Sequence, residues 1–303
     1  MLSILSIVKS CPNLTTVTRL IRIAERCFAF AMRMVPRQYR FQTALWLARA
    51  TAPLFSSSAA YREQRIKNFH RPDEIVLYLL LNALTKNGTR FDLEIATKGY
   101  EHFERAYERR KGVLVIGHHA ALTLLMVRLF YDKGLNPIVV TPDGSLRVAG
   151  TLVRAGTIQP SHMFLVQLRT KLRQGQLICA MPDRGEHHVG RTIEFETPAG
   201  GVILAPAIID VAARCGAEVV FTEVRVAGRQ LMATIAAPSS EIIVEDFISF
   251  VRECTAPSGG SSRKAANADR QNAKSRANAF FAALLSAFAP LREKYFQHRV
   301  DRR

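Results

Sequence analysis

From residue 112 onward, short apolar runs alternate with stretches of helical spacing. The runs are "GVLVIG" (112–117), "NPIVVT" (136–141), "QLICAM" (176–181) and "AEVVFTEVRV" (217–226). Runs this short and apolar predict buried strands. The segments between them, roughly 120–133, 162–174 and 202–215, carry helical periodicity. Strand–helix–strand alternation predicts an α/β fold with a mostly parallel central sheet flanked by helices. After the last run, "LMATIAAP" (231–238) predicts an antiparallel return across Gly228.

The chain before residue 112 has a different texture. Leu20, Ile21, Ile23, Ala24, Cys27, Phe28, Ala31 and Met32 recur at helical spacing with arginines between them, and Pro36 ends the run. "RQYRFQTALWLARATAPLF" (37–55) then starts another amphipathic helix. Basic residues interleaved with Phe, Leu and Trp suit a helix lying on an anionic membrane surface. Packing on the protein's own core fits the same pattern. Residues 61–84 read as a helix that Pro72 interrupts, and 91–110 as a polar segment ending in the charged helix "GYEHFERAYERR" (99–110). A polar linker rich in small residues, about 256–275, leads to a last helix, "ANAFFAALLSAFAPLREKYF" (277–296). The expected division is therefore membrane-associating N-terminal helices over 1–58 and an α/β domain over 59–303.

Composition narrows the partners. Lys and Arg total 42 against 25 Asp and Glu, a formal charge of +17 in 303 residues. Such a field favours anionic partners: nucleic acid, anionic lipid, or an acidic protein or substrate. The five cysteines, Cys11, Cys27, Cys179, Cys215 and Cys254, are odd in number and form no CxxC pair, which argues for a reducing compartment. No run of 18 uncharged apolar residues predicts a membrane span. Residues 1–36 lack a signal-peptide layout, because their charge follows the apolar run.

Several chemistries lack their motifs. There is no GxSxG elbow, no phosphate loop, no GxGxxG and no HExxH. The basic residues are spread along the chain and form no nucleic-acid reading module. Two histidine clusters stand out. In "MPDRGEHHVGR", Glu186, His187 and His188 would need further ligands to hold a metal, since adjacent side chains diverge. In "GHHAALTLL", His118 and His119 follow an apolar strand. Ligands gather at the carboxyl ends of parallel strands, and a helix starting there offers free N–H groups to an anion. A histidine at that corner suits a general base on a hydroxyl or amine, and equally a hydrogen-bonded structural residue.

In the order of its segments the chain resembles the bacterial lipid A lauroyl/myristoyl acyltransferases of the lysophospholipid acyltransferase superfamily. The resemblance runs from about residue 35 to the C-terminus. It is carried by "VPRQYRFQTALWLARATAPLF", "GYEHFERAYERRKGVLVIGHH", "LRQGQLICAMPDRG", "FETPAGGVILAPAIIDVAARCGAEVVFTEVRVAG" and "LREKYFQHRV". It implies an acyltransferase fold and transfer of a fatty acyl chain from acyl carrier protein or acyl-CoA to a hydroxyl or amine of a lipid or specialised acceptor. No cofactor is implied, and no nucleic acid. The setting would be the cytoplasmic face of the bacterial inner membrane, as a peripheral protein, or the cytoplasm. Acidic carrier protein and anionic lipid would both suit the positive charge.

The family motif is a histidine followed by four residues and an acid that orients it. Counted from His118 the fifth residue is Thr123, and from His119 it is Leu124. The His118 register leaves a polar residue, so the resemblance implies His118 as base and Thr123 in the acid's place. Thr123 can accept a hydrogen bond but supplies no charge. Asp143 or Asp183 could replace the acid. His119, Asp183, Arg184, Arg154 and Arg147 are the expected substrate contacts, with Arg184 suited to a phosphate or carboxylate. The lost acid also fits a second function: a catalytically silent relative that binds lipid or carrier protein.

Overall fold

A computed structural model describes residues 25–56, 71–141, 146–148, 151–153, 156–159, 161, 163–183 and 191–256. Seven strands form one sheet: β1 (Ile95–Lys98), β2 (Val113–Gly117), β3 (Ile138–Val140), β6 (Gly156–Ile158), β7 (Leu177–Ala180), β10 (Glu218–Ala227) and β11 (Gln230–Ala236). Two small hairpins lie outside it, β4 (Leu146–Val148) with β5 (Thr151–Val153), and β8 (Ile193–Thr197) with β9 (Gly200–Leu204). The spatial order of the large sheet is β1-β11-β10-β2-β7-β3-β6. Every neighbouring pair is parallel except β10 and β11, which turn back on each other at Gly228. The α/β class, the mostly parallel sheet and the antiparallel return all appear as the apolar runs predict.

Strand parity builds two cores. Val113 and Val115 of β2 face one side; Leu114 and Ile116 face the other. The first side is covered by five helices: α1 (25–34), α2 (Arg37–Ser56), α3 (Pro72–Lys86), α4 (Tyr100–Glu108) and α5 (Leu125–Asp132). The second is covered by α6 (Phe164–Arg173), α7 (Ala207–Arg214) and α8 (Ile243–Thr255), with the β8–β9 hairpin. Both faces of β2 are dry, which is why its sequence is continuously apolar rather than alternating. Leu77, Leu81 and Leu84 of α3 are at most 1% exposed. Each buried leucine of this kind contributes roughly 1.5–3 kcal/mol.

The N-terminal helices pack on the α/β body. Ala29 and Met32 of α1 and Phe41, Ala44, Leu45 and Ala48 of α2 belong to the first core. Their arginines reach the body's backbone: Arg33 donates to the Asn87 carbonyl, Arg40 to Arg90 and Arg49 to Gly228. Phe30, Met34 and Tyr39 remain exposed. No described helix is long and apolar enough to cross a membrane.

Glu74, in the first turn of α3, ties that helix to the sheet. β10 is ten residues long, and β2 pairs only with Glu218–Thr222, so the upper half of β10 has an uncovered edge on that side. The Glu74 carboxyl accepts the Val226 N–H there at 2.9 Å. Burial pushes this carboxyl up to about 7, against the opposing pull of the Val226 hydrogen bond.

Three expectations change. The helix expected over 202–215 is shorter: Val202 and Leu204 lie in β9 with their side chains buried, and α7 begins after Pro206. Pro has no N–H to continue a helix and fits its start. The helix expected from 120 begins at Leu125, after turns through 121–124. The helix expected over 61–84 is described only from Pro72, which starts α3 rather than breaking it. The linker from 257 onward, the last helix and residues 1–24 lie outside the described residues.

Candidate active site

The carboxyl end of β2 is the centre of the site. β2 lies between β10 and β7 and runs parallel to both. Its last residue, Gly117, pairs with Thr222 of β10. A Cβ on Gly117 would lie 2.5 Å from Thr123 Cγ2 and 3.0 Å from the Thr222 carbonyl, so any larger residue there forces the turn that folds back over it to shift. Beyond Gly117 the chain leaves the sheet, and two consecutive histidines diverge to its two flanks.

His119 turns towards β7. Asp183, three residues beyond the end of that strand, takes two hydrogen bonds from it. The His119 backbone N–H donates to Oδ2 at 2.6 Å and the ring Nδ1–H donates to Oδ1 at 2.6 Å. A carboxylate only accepts, so Nδ1 carries a proton in this pair. The Asp183 side chain is 1% exposed and the His119 ring 19%. Burial alone would raise the Asp183 carboxyl, but the His119 charge and hydrogen bonds outweigh it and hold the group below the usual range. Asp183 is itself placed by its neighbour, because the Pro182 carbonyl accepts the Ala205 N–H just before α7.

His118 turns towards β10 and is 1% exposed. Its Nε2 lies 3.8 Å from Oε1 of Glu223, the residue after Thr222. That is too long for a hydrogen bond. Burial lowers the basicity of His118, with Glu223 and Asp183 acting in the opposite direction. Burial suppresses ionisation of the Cys254 thiol of α8, and the nearby Glu223 carboxylate acts in the same direction.

The expected contact between His118 and Thr123 is not formed. His118 Nδ1 and Thr123 Oγ1 are both buried without a hydrogen-bond partner. The Thr123 methyl is spent against Gly117, and its hydroxyl orients nothing. In this structure Thr123 packs on Gly117 and makes no hydrogen bond to His118. Of the two carboxylates suggested as substitutes, Asp183 orients the other histidine, and Asp143 lies outside the described residues. So do Arg154, Arg184, Glu186, His187 and His188. Arg147 falls on β4, in the hairpin beside α5. No three described His, Cys, Asp or Glu side chains are grouped to hold a metal.

Sequence reading named His118, His119 and Asp183 but missed Glu223. The signal was present: a carboxylate inside the apolar run "AEVVFTEVRV" is costly to bury unless something nearby needs it. The arrangement holds one imidazole with its Nδ1 on a buried carboxylate, at a strand end just before the turns that lead into α5. That equipment suits proton removal from a hydroxyl or amine. No protein-family model matches the chain, and no curated protein matches it.

Proposed function

We propose that the protein transfers an acyl group from a thioester, carried by acyl carrier protein or coenzyme A, to a hydroxyl or amine acceptor. His119, rather than His118, is the general base. The observation that carries this reading is the doubly hydrogen-bonded His119–Asp183 pair at the carboxyl ends of β2 and β7. Asp183 holds the tautomer and would stabilise the imidazolium, the role a carboxylate plays in other His–acid pairs. His119 Nε2 takes the acceptor proton as the acceptor oxygen or nitrogen bonds to the acyl carbon. The carbon–sulfur bond breaks, and the thiolate leaves with the proton that His119 returns. The resemblance to the lauroyl/myristoyl acyltransferases supports the same reaction class. An acidic carrier protein and an anionic membrane surface are the partners that the charge of +17 supports.

Turnover of acyl-carrier and acyl-CoA thioesters over a panel of lipid and amine acceptors tests the reading. His119→Ala should abolish transfer, and Asp183→Asn should cost about 10²–10⁴-fold in kcat with the fold retained. Loss of transfer in His118→Ala with full activity in His119→Ala would return the base to His118. Thioester binding with no turnover across the panel would favour the silent, binding-only relative.

A further inference from the structure

We propose that Arg71 and Arg225 bind the phosphate group of a substrate at the uncovered upper edge of β10, beside the end of β2. The inference deepens the proposed function and rests on its placing of the reaction at that strand end.

Register and one hydrogen bond bring the two arginines to the same edge. Thr222 is the last residue of β10 paired with β2, so residues 223–227 run on past Gly117, and among the described residues no strand pairs with them on that flank. Arg225 stands in this stretch, and strand parity sets its side. Val224 and Val226 enter the first core and Phe221 the second, so Glu223 and Arg225 share the second face. Glu223 puts that face beside His118, at 3.8 Å from Nε2. Arg71 comes from the other side. It caps α3, and its carbonyl accepts the Glu74 and Ile75 N–H groups at 3.1 Å. The Glu74 carboxyl in turn accepts the N–H of Val226, the residue after Arg225. One helical turn and one hydrogen bond therefore separate the two backbones.

Both side chains are half-buried and unpaired. Two other arginines are half-buried, and each is satisfied: Arg40 donates to the Val35, Arg90 and Arg33 carbonyls, and Arg128 pairs with Asp132. Arg71 and Arg225 have no hydrogen bond or ion pair among the described residues. Acids are at hand, Asp73 two positions after Arg71 and Glu223 two before Arg225, yet neither forms an ion pair with them. Guanidinium groups withdrawn from water and left without a partner suit an incoming anion, and their planar fork matches phosphate oxygens. The thioester donors of the proposed reaction carry a phosphate on the pantetheine arm, and a phospholipid acceptor carries one on its headgroup. The recognition chemistry is the same for both.

Ligand pairs that differ only in the phosphate test this by calorimetry on the full chain. Phosphopantetheine against pantetheine probes the donor, and short-chain lysophosphatidate against the matching monoacylglycerol probes the acceptor. In at least one pair the phosphorylated member should bind about tenfold tighter or more, and the pair that does so names the source. Arg71→Gln and Arg225→Gln should each remove most of that preference. Arg225→Lys, which keeps the charge without the fork, should restore part of it. Arg214→Gln, exposed at the end of α7 where the chain enters the opposite end of β10, should leave it intact. Absence of preference in both pairs overturns the proposal. So does a preference retained in both Gln variants, or an equal loss in Arg214→Gln, which would mark a diffuse field rather than a site. Met, which keeps an apolar stem and drops the charge, replaces Gln wherever the amide lowers the melting temperature and is read in the same way. Absence of acyl transfer with the preference present counts against the proposed function alone. Absence of the preference with transfer intact counts against this inference alone.

Discussion

At the scale of single residues, the site separates two histidines that the chain presents together. Asp183 carries a pH signature. Its folded carboxyl is held below the usual range, so its contribution to stability is present above the unfolded value of about 4 and lost as pH falls through the folded value. Thermal melts from pH 7 to pH 2 should show a shallower acid loss in Asp183→Asn than in the parent. His118 adds a second step of the same sign. Burial keeps it neutral where an unfolded histidine takes a proton, so stability falls as pH drops below about 6.5. Gly117→Ala should destabilise by about 1–3 kcal/mol in denaturant melts, since its Cβ meets Thr123 Cγ2 and the Thr222 carbonyl. Adding Thr123→Ser, which removes that methyl, should recover part of the loss. The histidines and Asp183 were legible because they interrupt apolar runs with polar, reactive groups. Their pairing was not legible. Counting along the chain led from His118 to Thr123, whereas Asp183 reaches His119 from 64 positions away, just beyond β7, and Glu223 stands beside His118 on β10.

At the scale of elements, the attachment of α3 to β10 depends on one protonation state. Glu74 has its folded carboxyl raised from 4.5 to about 7. The sign is opposite to that of Asp183: its contribution is fully present below the unfolded value and is lost as pH rises through 7. Glu74→Gln keeps an acceptor for the Val226 N–H and removes the charge. It should be close to the parent in stability at pH 5 and more stable at pH 8.5, by up to about 3 kcal/mol, in paired chemical melts. The strands of the sheet were legible because fully buried parallel strands are continuous apolar runs. β1, with the pattern "IATK", and the β8–β9 hairpin, with Glu194 and Glu196, were not. Each is short and part polar, and its strand state comes from pairing with distant or adjacent backbone rather than from its own composition. α8 went unnoticed because it follows a polar stretch; its Phe247, Phe250 and Val251 are nonetheless buried against the second core.

At the scale of the whole molecule, α1 and α2 have two faces, one packed and one exposed. One belongs to the core; the other presents Phe30, Met34 and Tyr39 with Arg26 and Arg37 close along the chain. Sedimentation with vesicles containing phosphatidylglycerol should capture the protein, weakly at high salt. Changing Phe30, Met34 and Tyr39 together to Ser should reduce capture several-fold without lowering the melting temperature, while equal capture would place membrane contact elsewhere. The N-terminal pattern was legible as helices, and their packing on the body was not, because a basic apolar stripe reads alike on a lipid surface and on a protein core. The paired histidines carry a last consequence, one of arithmetic. β2 is anchored below by Gly112, whose Cβ position is occupied by the Leu172 backbone, and above by Gly117. Deleting one residue between these anchors would draw His119 into the sealed slot beside Glu223 and leave Ala120 facing Asp183. The slot would still hold a histidine and the fold's composition would be nearly unchanged, yet the imidazole on Asp183 would be gone. The span from Gly112 to the turn should therefore tolerate exchange of one apolar residue for another far better than any change in its number of residues.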